Sequence, residues 1–191
     1  MSTHTQHTEN FETYFCTLVC YRWFPLFEIT NFYEQVYNWF DHLKTKGCYI
    51  LGDVIMPNHL HALLYSTSGS LNKLTANGKR FMAYEMVKCL ERLKRYTLLR
   101  ESEQGVQPNE RRKGKKHQVF RLSFDARKCF DEKMVEQKLD YLHHNSVQGK
   151  WNLVEDHADY QHSSARFYET GVHGVYEVTH YKEIVVEDEG G

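Results

Sequence analysis

The chain is poor in proline. It has three in 191 residues, and each falls where the surrounding pattern changes: Pro25, Pro57 and Pro108 mark breaks or turns. No apolar run approaches the length of about 20 residues needed to span a bilayer. Residues 1–10 are polar and lack the hydrophobic stretch of a secretory signal, so the expectation is a cytoplasmic protein with no membrane partner. The five cysteines, Cys16, Cys20, Cys48, Cys89 and Cys129, are scattered and include no Cys-x-x-Cys. They read as thiols in a reducing compartment. Cys16 and Cys20 lie near each other, but no second pair stands at zinc-site spacing. There is no internal repeat and no linker that would divide two domains.

Net charge is also nearly absent, at −1, but its distribution is uneven. Between Leu71 and Lys128 there are 16 Lys/Arg against 6 Asp/Glu. A segment this basic is a footprint for a polyanion, or else a solvated helix face followed by a charged loop. Lys88, Arg92 and Arg95 share a helical face and can track phosphates. Arg111, Arg112, Lys113, Lys115 and Lys116 cluster in a polar stretch read as a loop. Tyr96 and Phe120 are aromatics that could stack bases, although core packing is the commoner use.

What is present in quantity is periodic apolar sequence. Residues 12–20 and 48–55 read as strands. Residues 29–46 place Phe32, Val36, Trp39, Phe40 and Leu43 at helical spacing. After a Pro57-Asn58 turn, residues 59–65 form a third strand. A long helix is expected from 71 to 100, with Phe81, Tyr84, Met86, Val87, Leu90 and Leu93 buried, then a polar loop to 116. A short fourth strand is expected at 117–123 and a helix at 131–145. Residues 172–186 alternate in a way that predicts one more strand. The fold class is α+β: a ferredoxin-like antiparallel sheet with helices on one face, plus a C-terminal helix. The expected division is a flexible segment at 1–10, a single domain at 11–170, and an extension at 171–191 with an acidic end.

Two features converge on this frame. His59 and His61 alternate with Leu60 on a strand, so their side chains point to the same face, together with Leu63 and Tyr65. Two imidazoles on one face can share a divalent cation. Tyr141 and Asn145 lie one helical turn apart and share a side. If that helix covers the strand, Asn145 adds a third ligand and the Tyr141 hydroxyl stands beside the metal. His143 and His144 read as surface residues.

Several segments resemble one family. They are Tyr14-Phe15-Cys16-Thr17, Val54 to Leu64 with its Pro57-Asn58-His59-Leu60-His61 centre, Leu139 to Val147 around Tyr141, and Asp159 to Ser164. Together they are similar to the single-tyrosine HUH transposases, and most to the REP-associated tyrosine transposases, over roughly residues 11–170. The resemblance implies metal binding by His59, His61 and Asn145, a nucleophilic Tyr141, and Mg2+ or Mn2+ as cofactor. It implies single-stranded DNA, with a hairpin, as partner, and leaves monomer and homodimer open. One departure is Ser146, where that branch often has proline, which would help to end the helix.

The chemistry that follows is attack on a phosphodiester, giving a 5′-phosphotyrosine and a free 3′-OH. A phenol with an ordinary pKa near ~10 is a poor nucleophile, and a phosphodiester repels it. A divalent cation polarises the phosphate and holds it in line. Three other readings use the same residues differently. A domain could bind single strands without cutting them. A hydrolase could use water in place of Tyr141. A relaxase or replication initiator shares the chemistry, usually within a longer chain.

Overall fold

The computed structural model describes residues 12–67, 71–122 and 125–188. The expected flexible segment at 1–10 and the last three residues lie outside these. The strands are β1 (Glu12–Val19), β2 (Cys48–Met56), β3 (His59–Ser66) and β4 (Asp125–Cys129). The helices are α1 (Leu26–Ile29), α2 (Tyr33–Lys44), α3 (Leu71–Arg92), α4 (Tyr96–Gln104), α5 (Pro108–Arg112), α6 (Glu132–His143), α7 (Ala165–Thr170) and α8 (Tyr181–Asp188). The sheet order is β2-β3-β1-β4, and every neighbouring pair is antiparallel.

Strand alternation sends side chains to two separate cores. Tyr14, Cys16, Leu18, Ile50, Ile55, Leu60, Ala62 and Leu64 meet α2 and α3 on one face. Phe15, Leu51, Val54, Met56 and Leu63 meet α6, Tyr160, Tyr181 and Ile184 on the other. The α2 stripe is buried as expected, at Val36, Trp39, Phe40 and Leu43. Gly78 on α3 lies where a Cβ would collide with the Trp39 indole, so the two helices approach through that gap. The cysteines remain thiols, four of them buried.

Five expectations need correction. The long helix ends at Arg92, where Lys94 takes a left-handed backbone (φ 56°) and Arg95 N–H bonds to Leu90 O at 2.9 Å. That is a Schellman-type end with lysine in the place usual for glycine. The α3 stripe is Met82, Met86 and Leu90, while Phe81, Tyr84 and Leu93 are exposed. The polar stretch from 101 to 116 is largely helical, in α4 and α5.

The fourth strand is Asp125–Cys129, and not 117–123. Val119 and Phe120 are buried by packing, and among the described residues this stretch joins β1 through a Cys20–Phe120 bridge and the bonds flanking it. The charged Asp-Ala-Arg-Lys sequence hides a strand because β4 is at the sheet edge, where charge is tolerated and useful. Residues 172–180 form no strand, and α8 follows. Its buried Tyr181 and Ile184 are three apart, as helix packing requires.

Candidate active site

The Pro57-Asn58 turn joins β2 to β3 with Met56 opposite His59. This register puts His59 and His61 on the α6 side of the sheet, with Val54 opposite His61 on β2 and Thr17 opposite it on β1. Both histidines are buried, at 8% and 5% exposure. Their rings lie edge to face with centroids 4.8 Å apart.

Helix α6 is capped by Asp131, whose carboxylate accepts from Met134 N–H at 2.7 Å. A cap of this kind contributes about 1 kcal/mol. Val135, Leu139 and Leu142 face the sheet. Gly52 makes this close approach possible: a Cβ there would lie 2.5 Å from Leu139 Cδ2. The β2 strand is also bulged between Ile50 and Gly52, which re-aims its residues. After His143 the chain tightens into a short 3-10 turn, His144–Val147. Ser146, in place of the expected proline, is fully buried, and its carbonyl accepts from Leu153 N–H at 2.7 Å.

This end of α6 brings the four residues together. The Tyr141 ring is 5.3 Å from the His61 ring and 5.8 Å from Phe15, and is 52% exposed. Asn145 Oδ1 stands 3.2 Å from His59 Nε2. Asn145 Nδ2 donates to the Tyr141 carbonyl at 2.7 Å, so the helical turn ties tyrosine and asparagine to one another.

Burial lowers the pKa of both histidines. His61 is brought to about 3, first by desolvation and then by the charges of His59 and Lys138. His59 is lowered by desolvation, partly offset by its bond to Asn145. Both rings are therefore neutral, as metal ligation requires. Their Nδ1 atoms are occupied: His61 Nδ1 by Thr17 Oγ1 at 2.9 Å, and His59 Nδ1 by Asn58 Oδ1 at 2.7 Å.

The Asn58 amide is oriented by its Nδ2, 3.4 Å from Trp23 O, and Asn145 by its bond to Tyr141 O. This network assigns the His59 proton to Nδ1 and a lone pair to Nε2. Nε2 and Asn145 Oδ1 are then two acceptors facing each other at 3.2 Å. Only a proton or a cation reconciles them, and burial resists the proton. Among the described residues no three His, Cys, Asp or Glu converge as a metal group, so a site here depends on the asparagine oxygen.

Sequence reasoning missed several neighbours. Lys138, one turn before Tyr141, holds its ammonium 5.0 Å from the Phe15 ring and 5.8 Å from the Tyr141 ring. Its spacing of three from Tyr141 was the available signal. His143 is buried, not on the surface: burial brings its pKa to about 3, and Nε2 pairs with Ser164 Oγ at 2.9 Å. The same Ser164 hydroxyl accepts from Asp53 N–H at 2.9 Å. Ile55 N–H donates to His162 O at 2.9 Å, and Tyr160 OH to Ile55 O at 2.8 Å. The Asp159 to Ser164 segment therefore covers the open edge of β2 and braces α6 from behind.

The basic residues are placed less decisively. Lys88 pairs with Glu85 at 3.0 Å, and Lys113 and Lys115 with Glu110 at 3.5 and 3.8 Å. Arg92 Nη2 reaches Cys89 Sγ at 3.3 Å, and Arg111 Nη2 donates to Glu103 O at 2.7 Å. Arg95, Arg112 and Lys116 are exposed. Lys79, with its pKa lowered to about 8 by burial and by Lys115, bonds to Arg121 O. The Arg121 guanidinium lies 5.4 Å over the Trp23 ring. Charge thus runs from the 111–116 cluster toward the histidines. Tyr96 is exposed and Phe120 lies in the core.

This fold is a four-stranded antiparallel sheet between helical layers, mixed α/β, with a histidine pair on one face beneath a tyrosine helix. A REP-associated tyrosine transposase, solved bound to a REP hairpin, superposes on it with a TM-score of 0.62. The match spans 95% of this chain and 95% of that one, at 15% identity, and so is a likeness of fold. No family model and no curated protein matches the sequence. Among the described residues no helix is long and apolar enough to cross a membrane.

Proposed function

We propose that this protein is a transposase-like enzyme that cleaves and rejoins single-stranded DNA through a 5′-phosphotyrosine on Tyr141. The observation that carries this reading is the meeting of His59 Nε2 and Asn145 Oδ1 at 3.2 Å beneath an exposed Tyr141. Two facing acceptors beside a second neutral imidazole are a donor set for a divalent cation. His59, His61 and Asn145 would hold it, with Mg2+ or Mn2+ the ions in keeping with the family resemblance. When bound, it supplies Lewis-acid polarisation and alignment of the phosphate. Strand order β2-β3-β1-β4 with α2 and α3 on one face supports a ferredoxin-like reading of the sheet.

The Tyr141 oxygen attacks phosphorus, and its proton passes to solvent. A phosphotyrosine ester forms as the bond from phosphorus to the 3′-oxygen breaks, and that oxygen takes up a proton as the free 3′-OH. Attack by the 3′-OH of another strand reverses these steps, with no energy input because the ester is conserved. The Lys138 ammonium beside the phenol offsets the negative charge gathered between phenolate and phosphate. Thr17 and Asn58 keep the two imidazoles oriented through Nδ1. The fold relative was solved on a hairpin, and a single strand carrying a hairpin is the substrate class proposed for this chain.

Tyr141→Phe removes one oxygen and tests the reading directly. Wild-type protein, a hairpin-bearing single strand and Mg2+ or Mn2+ should yield a protein–DNA adduct that survives denaturation, mapped to Tyr141 by mass spectrometry. The phenylalanine variant should bind DNA but form no adduct, and chelator should stop the wild type. Cleavage that persists in the variant would assign the chemistry to water. Binding with no cleavage by the wild type would make the protein a binding module.

A further inference from the structure

Two tryptophans line one cleft with His59, and neither belongs to the proposed metal site or nucleophile. A cleft of about 340 Å³ is lined by His59, Tyr141 and Asn145 together with Trp23 and Trp151. Trp23 is 47% exposed, although an indole gains much from burial. It is held there by two successive non-glycine residues in the left-handed region, Arg22 at φ 52° and Trp23 at φ 59°. Residues with a Cβ avoid this conformation, and such strain gathers where ligands are clamped. The Trp23 ring meets His59 edge-on, with centroids 6.1 Å apart.

Each indole carries a cation. Arg121 lies 5.4 Å over Trp23, and the Lys150 ammonium lies 4.9 Å over Trp151. Trp151 is half-buried and anchored against the α6 core. An apolar ligand would gain nothing from the cations, and an inorganic anion nothing from the indoles. An unpaired nucleotide uses both: its base has a π face for an indole, and its phosphates meet the cations. A base inside a duplex already has both faces covered by its neighbours.

We propose that Trp23 and Trp151 form a stacking subsite for an unpaired base of the nucleotide next to the scissile phosphate. This rests on the nucleic-acid reading above and identifies what grips the strand at the point of attack. The contact between Trp23 and His59 sets the spacing, because a base stacked on that indole belongs to the nucleotide adjoining a phosphate held at the histidines. Gln148, also on the cleft wall, brings an amide donor and acceptor to the edge of that base.

The test is intrinsic tryptophan fluorescence in chelator, where no cleavage is required. The remaining tryptophan, Trp39, is buried and gives a constant background. The probes are a short mixed-sequence single strand, the same sequence as a blunt duplex, and an abasic strand of equal length and charge. The single strand should quench the emission, and the duplex and abasic strand should not. Trp23→Phe and Trp151→Phe should each remove part of the quenching. Trp23→Ala should weaken single-strand binding roughly tenfold and leave abasic binding unchanged.

Equal quenching by the abasic strand, or equal weakening of both strands by Trp23→Ala, would overturn the subsite. If Trp23→Ala does not fold, the contrast between probes on wild-type protein still decides. Base-dependent quenching without any Tyr141 adduct leaves the subsite standing and removes the covalent chemistry. An adduct formed without base-dependent quenching does the reverse.

Discussion

At the scale of single residues, Asp53 is a buried acid with no opposite charge among the described residues to offset its burial. Its carboxylate is buried on β2, and Oδ2 has no hydrogen-bond partner among the described residues. Burial lifts its pKa from 3.8 to about 7. The unfolded chain loses this proton near 3.8, the folded chain only near 7, so between them the folded state binds more protons. The ionisation of Asp53 therefore costs nothing at low pH, and this penalty grows as pH rises through that window and is complete above about 7. His61 and His143, neutral when folded, act in the opposite direction, since they lose stability as pH falls below their unfolded value of 6.5. Comparing melting temperatures of wild type and Asp53→Asn isolates the carboxylate. The variant should be relatively more stable at neutral pH, and the difference should shrink toward acid. A difference independent of pH would show that the carboxyl does not titrate there.

At the scale of elements, α6 decides whether a site exists. It sits where Gly52 leaves room for Leu139, and where His143 and Ser164 join it to β2. A larger residue at 52 must push the helix outward and carry Tyr141 and Asn145 from the histidines. Gly52→Val should cost about 1–3 kcal/mol in urea unfolding and lower the adduct yield. Leu139→Ala added to it should restore much of both, because it clears the colliding methyl. A double variant as impaired as the sum of the singles would show that the helix is not seated through this contact. The helix was legible in the sequence at 131–145, with Tyr141 and Asn145 one turn apart. The glycine contact was not, since it joins residues 87 positions apart.

At the scale of the whole molecule, the near-neutral chain is electrically divided. The basic segment from Leu71 to Lys128 occupies α3, α4, α5 and β4. If its charges meet phosphates, affinity for single-stranded DNA should fall steeply with salt. Replacing Arg111, Arg112, Lys113, Lys115 and Lys116 with alanine should weaken binding and flatten the slope of log affinity against log salt. Lys113 and Lys115 share Glu110, so they are expected to give less than a full unit of slope each. An unchanged slope would place the cluster in solvent.

The sequence by itself determined the alternation of β1, β2 and β3 and the shared face of His59 and His61. It also determined the one-turn spacing of Tyr141 and Asn145. These are local periods, set by backbone geometry wherever the element forms. Only the tertiary structure decided which side of α3 is buried, because both of its faces carry apolar residues and the partner helix chooses between them. It decided that β4 is the charged 125–129 segment, because an edge strand needs a neighbour more than it needs propensity. It also brought Lys138 near His61, and Trp23 and Trp151 to the cleft that His59 lines. Nothing local links those residues, and packing across the sheet is what makes them neighbours.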